Sequence, residues 1–132
     1  MEWAIGTDTA GTPSLAIVEI GANDAFQGIS PSVTEANIRA IVQKLQDRSI
    51  PILLTGMKSP PNLGSQYAAK FEDMYRSIAK DMKLPLMDFF LEDVAAIPSL
   101  NLADGIHPTR EGYAIVAANV LRELKSNKLI QK

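Results

Sequence analysis

The sequence predicts an α/β domain built on a parallel sheet with helices on both faces. Three observations predict it. Short apolar runs rich in β-branched residues, such as Leu15-Ala16-Ile17-Val18-Glu19-Ile20, lack the strict alternation of a half-exposed sheet and read as strands covered on both faces. Segments with helical apolar periodicity lie between these runs. Strand, helix and strand in that order make right-handed βαβ units, and such sheets collect binding groups at the carboxyl ends of their strands.

The elements follow in chain order. Gly6-Thr7-Asp8-Thr9-Ala10-Gly11 is a Thr/Gly-rich turn, and Trp3 before it is a packing anchor. The first clear strand is Leu15 to Ile20, stopped by Gly21. Ser30-Pro31-Ser32-Val33-Thr34-Glu35 supplies helix-start chemistry, and Ile38, Ile41, Val42 and Leu45 continue at helical spacing to an end near Arg48. Ile50 to Gly56 reads as a second buried strand, with Pro51 tolerable at its start. Met57 to Gly64, with two consecutive prolines, is an extended loop, and Tyr67, Phe71, Met74, Ile78 and Met82 mark the next amphipathic helix. Leu84 to Asp88 is a third short strand, and Phe89 to Asp104 is mostly irregular. Pro108 suits the first position of a last helix whose expected buried stripe is Tyr113, Val116, Val120, Leu121 and Leu124.

Composition narrows the function classes. A chain of 132 residues with 46% apolar and 21% charged side chains has room for one domain and an ordinary core. Thirteen basic against fifteen acidic residues, a net charge of -2, offer no broad cationic field for nucleic acid or anionic lipid. The absence of cysteine excludes disulfides, thiolate metal sites and a cysteine nucleophile. No apolar run approaches the roughly 20 residues of a membrane span, and the N-terminal residues show neither a basic leader nor a long apolar core, so no export signal is expected.

Two segments carry chemistry. Asp104-Gly105-Ile106-His107-Pro108 contains the single histidine, three residues after a carboxylate, with a glycine that lets the backbone fold back. Such a turn can bring Asp104 against the imidazole Nδ1, fix the tautomer and leave Nε2 as a general base. The plainer reading is a surface or capping histidine. Gly21-Ala22-Asn23-Asp24 lies at the carboxyl end of the first strand, where a side-chain amide can donate to a developing oxyanion; a simple strand-to-helix turn explains the same residue types. Asp24, Asp104 and His107 with a single imidazole make a poor zinc site, and no metal is expected.

Together these segments resemble the SGNH (GDSL-type) hydrolases, especially the small bacterial arylesterase, thioesterase and lysophospholipase group. Gly21-Ala22-Asn23-Asp24 is similar to the family block Gly-x-Asn-Asp, Asp104-Gly105-Ile106-His107-Pro108 to the block Asp-x-x-His-Pro, and Pro60-Pro61-Asn62-Leu63-Gly64 to the loop after the intervening strand. The resemblance runs from about Leu15 to about Lys125. It implies a three-layer α/β/α, flavodoxin-like fold and acyl transfer to water through an acyl-serine. In that scheme His107 is the base and then the acid, Asp104 its orienting carboxylate and Asn23 an oxyanion-hole donor. Gly6 resembles the family glycine whose N–H completes that hole, beside the simpler turn reading. The resemblance also implies ester, thioester or lysophospholipid substrates, no metal or organic cofactor, and a periplasmic or secreted location. Phe26, Gln27, Met57 and Pro60 flank the two loops and are the expected acyl pocket.

The chain departs from the family pattern in one respect. No Gly-Asp-Ser block occurs in it, so the nucleophile is unassigned, and Ser14 enters its strand at the amino end, a strand length from the expected site. We therefore expect a single SGNH-like domain over residues 1–132, truncated or rearranged at its N-terminus, with an open apolar edge at Leu15 to Ile20 that pairs with a second copy or a missing fragment. The alternative function is a non-catalytic α/β binding or interaction domain that retains the scaffold.

Overall fold

The computed structural model describes residues 11–131. These fall into two compact units that divide between Asp88 and Phe89.

The first unit contains three parallel strands in the order β1 (Ala16–Val18), β2 (Ile52–Thr55) and β3 (Leu86–Met87). The register pairs Ala16 with Ile52 and Leu54 with Leu86. All four residues of the central strand are buried, as a continuous Ile-Leu-Leu-Thr run demands of a strand with a neighbour on each side. Its helices are α1 (Ala22–Phe26), α2 (Pro31–Asp47) and α3 (Ser65–Met82). Helix α2 begins with Pro31 in its first turn after Ser30 and ends at Arg48, as its sequence predicts. The core gathers Val18 and Leu54 from the sheet, Ile38, Val42 and Leu45 from α2, and Phe71, Met74, Tyr75 and Ile78 from α3.

Three expectations for this unit change. The first strand spans three residues rather than six, and Ile17, expected to be covered, is 44% exposed. Hydrogen bonding decides its length, because only Ala16, Ile17 and Val18 find register partners on β2. The third strand likewise contracts to Leu86 and Met87. A short helix, α1, starts directly after Gly21 in a segment read from the sequence without a helix, and its first bond runs from the Ala25 N–H to the Gly21 carbonyl.

The second unit is a run of turns, a 3-10 turn at Pro98–Leu100, and helix α4 (Arg110–Ser126). Pro108 does not open this helix. It pairs with Asn101 in an antiparallel bridge, and Thr109 is the N-cap, its side chain accepting from the Gly112 N–H at 3.1 Å. The buried side of α4 also differs from the expected stripe: Gly112, Val116, Asn119 and Leu124 are buried, whereas Tyr113 and Leu121 are exposed. The cause is a close approach at Gly112, where an added Cβ would collide with the Leu100 carbonyl and crowd Val94. A glycine and an asparagine occupy the inward face, and apolar periodicity alone does not mark them.

Candidate active site

Strand β1 delivers its carboxyl end to Gly21, which has φ 114° and caps α1. Only glycine fits there. The backbone is left-handed, and a Cβ would run into the Tyr75 hydroxyl from α3. That hydroxyl donates to the Ile20 carbonyl at 2.7 Å, and burial pushes the Tyr75 phenol well above its usual range. Asn23 then stands exposed in the first turn of α1, and its carboxamide makes no hydrogen bond among the described residues. Its neighbour Asp24 is committed to structure: Oδ2 accepts from the Thr34 hydroxyl at 2.8 Å.

Of the expected pocket residues, Phe26 and Gln27 are exposed at the end of α1, Pro60 is half-buried, and Met57 packs partly against the core. Their two loops adjoin, since a Cβ at Gly28 would rest 3.8 Å from Leu63 Cδ2. A surface cavity of about 350 Å³ lies elsewhere in this unit, lined by Ser30, Ser32, Glu35, Lys70 and Asp73 among others, and contains none of the expected site residues. Gly6 and Trp3 lie outside the described residues.

In the second unit, the chain from Asn101 to Pro108 folds back on itself. The Leu102 N–H donates to the His107 carbonyl at 2.8 Å, the Gly105 N–H donates to the Leu102 carbonyl at 2.9 Å, and Gly105 takes φ 69°. Asn101 anchors the base of this turn by donating from Nδ2 to the Val94 and Ile97 carbonyls. Asp104 Oδ1 accepts from the backbone N–H groups of Ile106 and His107 at 2.8 and 3.1 Å, and Oδ2 meets His107 Nδ1 at 2.7 Å. These bonds, the imidazole first among them, hold the Asp104 carboxyl down to about 2. It is therefore a carboxylate at neutral pH, which can only accept, so the imidazole carries its proton on Nδ1. In the neutral ring Nε2 then presents a lone pair, on a side chain that is 64% exposed.

The structure thus contains the Asp104–His107 contact that the spacing allows, and it presents Asn23 at the carboxyl end of a parallel strand. Sequence reasoning missed Tyr75, whose place in an aromatic series with Tyr67 and Phe71 reads only as core. It also missed Asn101, for which turn propensity was the sole signal.

Residues 2–115 match the model of the GDSL-like Lipase/Acylhydrolase family. The arylesterase of Vibrio mimicus is 34% identical over 113 residues, which is 86% of this chain and 56% of that protein. Thioesterase 1/protease 1/lysophospholipase L1 of Escherichia coli (strain K12) is also 34% identical over 113 residues, covering 86% of this chain and 54% of that protein. The chain therefore spans a little over half the length of these two curated relatives. Among solved structures, AlinE4, an SGNH-hydrolase family esterase, superposes with a TM-score of 0.74 at 40% identity, covering 95% of this chain and 66% of that one. The fold is the α/β fold of the SGNH hydrolases. With the family model matched over residues 2–115, most of its length, this chain belongs to the GDSL-like lipase/acylhydrolase family.

Proposed function

We propose that this chain carries the acid/base and oxyanion parts of a carboxylic ester hydrolase site that works by Ser-His-Asp acyl transfer. The observation that carries the reading is the 2.7 Å contact between Asp104 Oδ2 and His107 Nδ1. With Nδ1 protonated and held, Nε2 takes the proton of a serine hydroxyl as it attacks the acyl carbon, then returns it to the departing alcohol or thiol. Water repeats the sequence on the acyl-serine. The Asn23 carboxamide, which makes no hydrogen bond among the described residues, donates to the tetrahedral oxyanion, and the Gly6 N–H is the second donor in this reading. Asp104 keeps the imidazole oriented and stabilises its charged form. The attacking serine is unassigned, since no Gly-Asp-Ser occurs in the sequence.

Both compact units belong to one domain in this proposal. Phe26, Gln27, Met57 and Pro60 line the acyl side of the site. The substrates are carboxylic esters or thioesters, in keeping with relatives named arylesterase and thioesterase 1/protease 1/lysophospholipase L1.

Hydrolysis of p-nitrophenyl acetate tests the reading. His107→Ala should lower turnover by roughly 10²- to 10⁴-fold, and Asn23→Ala should lower kcat by roughly 10²- to 10³-fold, both with unchanged folding by circular dichroism. A parent chain that is inert to the ester and to a serine-directed organophosphate would point instead to the binding-domain alternative.

A further inference from the structure

The carboxamide of Asn23 has no hydrogen-bond partner among the described residues, so within them its position follows the backbone beneath it. That backbone, residues 20–29, is held at both ends by one helix. The Tyr75 hydroxyl donates to the Ile20 carbonyl, and the Tyr67 hydroxyl donates to the Ile29 carbonyl. Positions eight residues apart lie on one face of α3, separated by about 12 Å along its axis, which matches two anchor points at the ends of a short loop and helix. Phe71 stands between them. Its ring stacks on Tyr67 with centroids 6.0 Å apart and meets Tyr75 edge-on at 5.5 Å, so the three rings form a continuous ladder. A third tie comes from α2, where the buried Thr34 hydroxyl donates to Asp24.

Packing does not require these hydroxyls. Phenylalanine fills the same volume at 67 and 75, and burying a phenol beside the core is favourable only when its O–H finds an acceptor. Here both acceptors are carbonyls of the segment that bears Asn23. An oxyanion donor is effective when it is already aimed before charge develops, and tolerance for misplacement is about 0.5 Å.

We propose that Tyr75 and Tyr67 are positioning residues whose hydroxyls clamp the segment from Ile20 to Ile29, so that the Asn23 carboxamide is presented in one preorganised orientation. This rests on the reading of Asn23 as an oxyanion donor. The clamp itself is a statement about conformation and has its own readout.

The test uses the ¹⁵N-labelled full chain with Tyr75→Phe and Tyr67→Phe, and identifies the Asn23 side-chain NH₂ signal by its loss in Asn23→Ala. Each phenylalanine variant should raise amide exchange at residues 22–28 by roughly three- to tenfold, the loss of one net hydrogen bond, and should shift or broaden the Asn23 signal while β2 amides stay as in the parent. In ester hydrolysis kcat should fall with KM within about twofold, as expected when an interaction made only in the transition state is loosened. Unchanged exchange and an unchanged Asn23 signal in the folded variants would overturn the clamp, as would exchange raised equally throughout α3 and the sheet. Tyr67 is only half-buried, so its variant keeps the test available if Tyr75→Phe fails to fold. The oxyanion reading fails separately, if Asn23→Ala hydrolyses the ester as fast as the parent.

Discussion

Asp104 shows how much one carboxylate can settle when its partners are local. Both its oxygens are engaged, by two backbone N–H groups and one imidazole, all within three residues of it in sequence. Its pKa lies at about 2 against an ordinary 3.8, so the folded state binds this proton more weakly than the unfolded state. The corresponding stability is fully present above pH 3.8 and is lost as pH falls through about 2. Asp104→Asn has no such group to titrate, so its urea midpoint should fall less than the parent's between pH 4 and pH 2; equal falls would contradict the assignment. The side chain is exposed to solvent, and the effect is correspondingly modest. This contact was legible in the sequence because a carboxylate, a glycine and a histidine at that spacing build their own turn. The Tyr75 hydroxyl under Gly21 was not legible, because 54 residues separate the two positions and nothing local to either announces the other.

Helices α2 and α3 followed from periodicity because each turns a largely apolar stripe into the core. Helix α4 did not. Its inward face is built of Gly112, Val116, Asn119 and Leu124, and Asn119 is retained there by donating from Nδ2 to the Glu92 carbonyl while its Oδ1 accepts from Arg122. A stripe that mixes glycine, asparagine and aliphatics carries little hydrophobic signal. Its start was misplaced by two residues for a related reason: Pro108 suits a first helical turn, but here its strand-like bridge to Asn101 takes precedence and the cap passes to Thr109. Thr109→Ala should therefore lower unfolding stability by about 1 kcal/mol, measured by urea denaturation, and Thr109→Ser should recover most of it. No change in Thr109→Ala would show that the cap contributes nothing to α4.

At the scale of the molecule, the edge-pairing expectation turns on the side of β1 that faces away from β2. Among the described residues this strand has one hydrogen-bonded neighbour, β2, and it exposes Ile17. A strand that offers unpaired N–H and C=O groups next to an exposed aliphatic is a template for another chain. The parent should sediment above the mass of one chain, and Ile17→Lys, which places a charge on that strand, should return it to the single-chain mass. A parent that sediments as a single chain would remove the edge-pairing expectation.

By itself the sequence determined the alternation of short buried strands with amphipathic helices, the start of α2 at Ser30-Pro31, and the Asp104–His107 turn. Each of these is encoded by residues within a few positions of one another, through periodicity, capping chemistry and side-chain reach. Only the tertiary structure decided how long β1 is, which face of α4 is buried, and that two tyrosines of α3 hold the segment carrying Asn23. Those outcomes depend on which distant backbone groups come close enough to bond or collide. That is a property of the packed chain, and no short window of sequence contains it.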